Sequence, residues 1–138
     1  MADWILTPVY EYYAATPVPR YQYSSNPDIK DGWTRTGISF FAFGEDQPGV
    51  LPIYQYHAED PWRYYYSYQP DVQDGWINDG IAFYAYQYSQ LNLTPVYQYR
   101  ATDPWRYYYS TTFQELRGWT WETYAFYVLN AASTSKLV

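Results

Sequence analysis

Side chains of like character recur at every second position through most of this chain. In Ile53-Tyr54-Gln55-Tyr56-His57, Tyr54 and Tyr56 share one face while Ile53, Gln55 and His57 share the other, because successive side chains of an extended strand point to opposite faces. This two-residue period is carried by β-branched and aromatic residues and broken by clusters of Pro, Gly, Asn and Asp, which predicts an all-β chain. Residues 51–92 show the plan most clearly. A first strand, with Tyr54 and Tyr56 facing inward, runs into the turn Ala58-Glu59-Asp60-Pro61-Trp62, and Arg63-Tyr64-Tyr65-Tyr66-Ser67 forms a second strand. Gly75-Trp76-Ile77 is a third element, and Asn78-Asp79-Gly80 reads as a hairpin turn, since glycine readily takes positive φ. The fourth element, Ile81-Ala82-Phe83-Tyr84-Ala85-Tyr86, turns Ile81, Phe83 and Ala85 toward the deepest core.

The same layout occurs three times. Trp33, Trp76 and Trp119 lie 43 residues apart, as do Arg20, Arg63 and Arg106, which divides the chain into copies at 7–50, 51–92 and 93–130 with a short polar tail. A unit of this size cannot bury its apolar face alone, so the copies must share one interior within a single domain, 1–138. Four strands in each of three copies make about twelve, the count of a β-trefoil with internal pseudo-three-fold symmetry. The trefoil is the preferred reading, and a small three-bladed, propeller-like arrangement or an open three-unit stack fits the period nearly as well. Comparison of the copies also orients the second strand. Copy one reads Arg20-Tyr21-Gln22-Tyr23-Ser24, so the position of Gln22, Tyr65 and Tyr108 should face solvent while Tyr64, Tyr66, Tyr107 and Tyr109 point inward.

Composition sharpens this picture. With 21 Tyr, 7 Trp and 6 Phe in 138 residues, aromatic rings must do the packing that aliphatic side chains usually do. The absence of cysteine excludes disulfides and thiolate metal sites. A formal net charge of −6, with the basic residues scattered, opposes nucleic-acid binding. No run approaches the 18 apolar residues of a membrane span. The first residues lack the pattern of a signal peptide, which leads to the expectation of a cytoplasmic protein or one released by a non-classical route.

The unit resembles a tyrosine-rich repeat of microbial and fungal extracellular proteins, whose pattern runs Pro-Val-Tyr-Arg, Phe-Tyr-Thr, Gly-Trp and Gly-Ile-Ala-Phe-Tyr. The matching stretches are Pro95-Val96-Tyr97-Gln98, Tyr65-Tyr66-Ser67, Gly75-Trp76 and Gly80-Ile81-Ala82-Phe83-Tyr84. The chain departs in having Gln or Glu after the first tyrosine and a shorter segment before Gly-Trp. The resemblance implies the repeat and brings no activity with it; a looser similarity in fold to β-trefoil lectins implies sugar binding.

The sharpest local constellation is Asp60-Pro61-Trp62-Arg63 with Tyr65, which returns as Asp103-Pro104-Trp105-Arg106 with Tyr108. An aromatic face against the C–H side of a sugar, beside a carboxylate and a guanidinium that bond its hydroxyls, suits a glycan site. The alternative is that Trp62 and Trp105 cap the barrel while Arg63 and Arg106 stack on them or pair with nearby carboxylates. Copy one reads Thr16-Pro17-Val18-Pro19-Arg20 and lacks the Trp and the Asp. Trp33, Trp76 and Trp119 recur in every copy and read as structural, each behind a glycine turn at Gly32, Gly75 or Gly118. Trp121, with Trp4, would form an added contact or a self-association patch. Asp28, Asp31, Asp71 and Asp74 read as solvated turn acids, since calcium takes six to eight oxygens and copy three offers Glu115 and Arg117 instead. His57 is the sole histidine, with Tyr13 and Arg100 as counterparts, and no nucleophile and base stand together. The chain therefore reads as a non-enzymatic, lectin-like glycan-binding protein without cofactor or metal. The rival readings are a protein-binding inhibitor or toxin accessory module and a self-assembling structural protein, that is, a homo-oligomer.

Overall fold

The computed structural model describes residues 6–129, which form nine β-strands and no helix. Accordingly, none of the described residues belongs to a helix long and apolar enough to cross a membrane. Copy one contributes β1 (Leu6–Ala14), β2 (Arg20–Ser24) and β3 (Thr34–Phe43). Copy two contributes β4 (Val50–Ala58), β5 (Arg63–Ser67) and β6 (Ile77–Tyr86). Copy three contributes β7 (Leu93–Ala101), β8 (Arg106–Ser110) and β9 (Thr120–Leu129). In each copy the first strand is central, pairing antiparallel with the short second strand on one side and the long third strand on the other. Single bridges, Phe43 to Tyr84 and Tyr86 to Tyr127, join the units into one nine-stranded antiparallel sheet that does not close into a barrel.

The strand count corrects the expectation of twelve, and the six-stranded barrel of a trefoil does not form. The reason lies at Asn78-Asp79-Gly80, which sits inside β6 and makes no turn. Gly80 has φ of 104° and its N–H donates to the Asn78 Oδ1 at 2.7 Å, so the local geometry suited to a hairpin instead serves an irregularity within one long strand. Pairing runs from Ile53–Phe83 to Tyr54–Ile81 and from Gln55–Gly80 to Tyr56–Asn78, which leaves Ala82 and Asp79 as extra residues. The same two shifts recur in the other copies.

Each extra residue reverses the faces beyond it. On β4, which carries no extra residue, Ile53 is buried in the core while Tyr54, predicted inward, is only half-buried. Tyr56 is buried by the segment after β5, where its hydroxyl donates to the Gln69 carbonyl and accepts from the Val72 N–H. Phe83 and Ala85 reach the core as predicted, but Ile81 is 48% exposed, and Ile38 and Tyr124 share its fate. At the centre, Phe40, Phe83 and Phe126 meet edge to face with centroids 5.4 to 5.6 Å apart. Val9, Ile53 and Val96 pack in the same cluster.

Tyr23, Tyr66 and Tyr109 join the copies around this centre. The Tyr66 hydroxyl accepts from the Tyr23 N–H at 2.8 Å and donates to the Tyr23 carbonyl at 2.9 Å. Tyr109 treats Tyr66 in the same way, and Tyr23 treats Tyr109 so, which closes a cycle. Burial pushes all three hydroxyls well above the usual phenol range, so each keeps the proton it donates.

Neighbouring copies also meet ring to ring. Tyr65 lies 4.6 Å from Tyr107 and Tyr108 lies 4.8 Å from Tyr21, so these tyrosines, expected in solvent, are half-buried between copies. The cyclic pattern sets Gln22 opposite Tyr64, and Gln22 is buried, its Oε1 without a hydrogen-bond partner. Polarity alone placed Gln22 outside; a neighbouring copy covers it. Gln22→Tyr should supply the missing ring pair and remove the orphaned oxygen, stabilising the fold by about 1–2 kcal/mol. The thermal midpoint should rise by several degrees in a calorimetric scan, and a fall would mean that the seam is closed to a ring.

Candidate functional site

The loops preceding β5 and β8 carry the residues singled out by sequence, and the structure divides them into two roles. Trp62 and Trp105 are 44% and 43% exposed, and Asp60 and Asp103 beside them are exposed as well. Both aspartates have φ of 61°, a left-handed conformation that short polar side chains tolerate and that turns the chain sharply ahead of each tryptophan.

The arginines turn inward. Arg63 Nε donates to the Trp105 carbonyl at 2.7 Å, and one terminal nitrogen donates to the Glu59 carbonyl at 3.1 Å and the Pro61 carbonyl at 3.2 Å. Arg106 reaches the Pro19 carbonyl at 2.7 Å, and Arg20 reaches the Trp62 carbonyl at 2.7 Å, so each arginine ties its own loop to that of the next copy. Their guanidinium groups lie over Trp33, Trp76 and Trp119 at 5.1, 5.6 and 5.3 Å, and do not stack on the loop tryptophans. Burial pulls the Arg63 and Arg106 pKa values down. Arg63 and Arg106 are thus structural ties, and Tyr65 and Tyr108 belong to the ring contacts between copies. Trp33, Trp76 and Trp119 take the structural role predicted for them, each half-buried against a tyrosine of the next copy. The glycines before them have φ of 93°, 91° and 86°.

What stands beneath the exposed tryptophans was not singled out by sequence. His57 stacks on Trp62 with centroids 4.1 Å apart and planes within 6°, and its Nδ1 lies 2.6 Å from Asp79 Oδ1. In copy three the Arg100 guanidinium lies 4.0 Å from the Trp105 ring and 2.8 Å from Glu122 Oε2. Asp79 and Glu122 are the extra residues of the second strand irregularity, and Gln55 and Gln98 donate to them at 2.9 and 3.0 Å. Each loop tryptophan therefore has one face braced by a nitrogen-bearing side chain that an acid holds in place. Copy one has Tyr13, Thr36 and Pro19 at the three corresponding positions, so the whole column is replaced together. That joint replacement is the signal in the sequence that marks His57 and Arg100.

Copy three adds exposed rings of its own. Trp121 lies 5.4 Å from Tyr124 and 6.5 Å from Phe113, and all three are exposed. Trp4, paired with Trp121 in the sequence reading, lies outside the described residues, as does the C-terminal tail. Among the described residues no group of three or more acids, histidines or cysteines is placed to hold a metal ion. Asp31 and Asp74 occupy left-handed turn positions ahead of Gly32 and Gly75. The chain matches no protein-family model, no curated protein and no solved structure.

Proposed function

We propose that this chain is a non-enzymatic carbohydrate-binding protein whose sugar-stacking platforms are Trp62 and Trp105. The observation that carries this reading is the pair of exposed indoles, each held rigid from one side by His57 or Arg100. A ring fixed in advance loses little freedom when a ligand settles on it. Its apolar face suits the C–H side of a sugar, and the neighbouring Asp60 or Asp103 carboxylate can accept from sugar hydroxyls. Arg63 and Arg106 support the loops in this reading and do not touch the ligand. Two platforms on one chain would gain avidity on a surface dense in glycans. A three-bladed plan is supported over the trefoil by three strands per copy and by the cyclic contacts between copies.

A glycan array followed by titration tests this. Trp62→Ala or Trp105→Ala should weaken binding roughly tenfold, the equivalent of about 1.4 kcal/mol, and the double variant should lose it while remaining folded. Unchanged binding in the double variant would remove both residues from the site. The exposed group Phe113, Trp121 and Tyr124 favours a second reading, contact with another protein or another copy. Light scattering at high concentration separates the two, since a monomer that binds saturably to sugars supports the first.

A further inference from the structure

One position on the central strands differs in charge between copies, and the difference leaves a carboxylate without a counter-ion. Glu11 on β1 corresponds to Gln55 on β4 and Gln98 on β7. In copies two and three the acid stands across the ladder, as Asp79 or Glu122, and pairs with His57 or Arg100. In copy one Thr36 and Tyr13 occupy those places, and Glu11 pairs with no cation among the described residues. Its Oε1 accepts from the Thr36 hydroxyl at 2.7 Å, and its Oε2 lies 3.0 Å from the Tyr23 hydroxyl, whose one proton it shares with the Tyr109 carbonyl. Burial raises its pKa, with those two hydrogen bonds opposing the shift. The titratable groups that face it, Tyr21 and Tyr23 on β2 and Tyr108 on β8, have raised pKa values and stay neutral.

Glu11 also opens on a cleft. The seam between copies three and one holds a volume of about 350 Å³ lined by Glu11, Thr36, Ser39, Tyr108, Ser110 and Thr111. The seam between copies two and three holds about 140 Å³, with Gln98 where Glu11 would stand. Of these two seams the wider is the one with the unpaired acid, and its volume falls in the range of small-molecule sites. A partly desolvated carboxylate gains most from a ligand that brings a positive charge and hydrogen-bond donors to it. The Ser and Thr side chains that line the cleft, with the Tyr108 phenol, match a ligand that carries several hydroxyls.

We propose that the Glu11 cleft binds the ammonium group of an unacetylated amino sugar, with Thr36, Ser39, Ser110 and Thr111 serving the sugar hydroxyls. The sugar half of this statement rests on the carbohydrate reading; the ammonium half stands on Glu11 alone. The site is separate from Trp62 and Trp105.

The test titrates glucosamine, N-acetylglucosamine and glucose into the wild type, Glu11→Gln and the Trp62→Ala/Trp105→Ala double variant, followed by NMR shifts of the copy-one strands. The wild type should prefer glucosamine over the two neutral sugars by about tenfold, the scale of one charge-assisted contact. Glu11→Gln should abolish that preference and the double variant should keep it. Glu11→Gln should fold, since Gln55 and Gln98 already fill the position in the other copies. Its thermal midpoint should match or exceed the wild type at pH 7. An acid whose folded pKa is raised gives up stability as pH rises through that pKa, so any advantage of the variant should vanish in acid below the unfolded glutamate pKa. Equal affinity for the three sugars, or a glucosamine preference that survives in Glu11→Gln, would overturn the proposal. So would a preference lost in the tryptophan double variant. Binding of n-butylamine as tight as that of glucosamine would overturn the sugar half. Survival of neutral-glycan binding in the tryptophan double variant, or its absence from the wild type, with the Glu11 preference intact, would count against the platforms and leave this cleft standing.

Discussion

Tyr66→Phe is expected to destabilise the protein by about 3 kcal/mol, although it removes a single oxygen. That oxygen accepts from the Tyr23 N–H, and its one proton is shared between the Tyr23 carbonyl at 2.9 Å and Gln55 Oε1 at 3.0 Å. The backbone groups are buried, and an orphaned buried donor or acceptor costs about 1–3 kcal/mol. The phenyl ring would remain in place, so its packing on Phe83 would survive and the loss would report the hydrogen bonds alone. Urea denaturation should show a lower midpoint with an unchanged slope. A loss under about 1 kcal/mol would mean that neighbouring groups or water satisfy Tyr23 without the hydroxyl.

Phe83→Ala should have the largest effect of any single truncation, about 3–5 kcal/mol. Phe83 is buried and meets both Phe40 and Phe126 edge to face, so its removal opens a cavity walled by the two remaining rings. The two remaining rings, on different copies, cannot collapse into the space without dragging their strands. Ile81→Ala, two residues away, is the control. A plain alternation assigns the two side chains to one face, yet Ile81 is 48% exposed, so its truncation should change stability by less than about 1 kcal/mol. Similar losses at both positions would contradict the extra residue at Ala82.

The threefold repetition, the all-β class and the inward set Tyr64, Tyr66, Tyr107 and Tyr109 were legible from spacing and alternation. The two extra residues in each third strand were not. Asn78-Asp79-Gly80 has the chemistry of a turn, and a turn and a strand irregularity draw on the same positive-φ glycine, so local sequence could not separate them. Gln22 misled for a different reason: a polar side chain signals solvent only where no other copy covers it. At the loops, the turn expected at Asp60 and Trp62 forms, and both side chains are exposed. The contacts of Arg63 and Arg106 were not legible, because the carbonyls they bind, those of Trp105 and Pro19, lie 42 and 87 residues away. The column beneath each tryptophan was readable, since His57, Asp79 and Trp62 are replaced together in copy one.

The tyrosine cycle bears on how the molecule behaves toward others of its kind. Each joint is head to tail: one copy offers a hydroxyl and its neighbour offers a backbone, so the two sides differ. Head-to-tail joints propagate into filaments unless the rotation returns to its start. Here Tyr23 bonds Tyr109, which leaves no vacant end for an additional unit. A chain shortened by one copy would carry an unmatched donor end and an unmatched acceptor end, and polymerisation would be its natural fate.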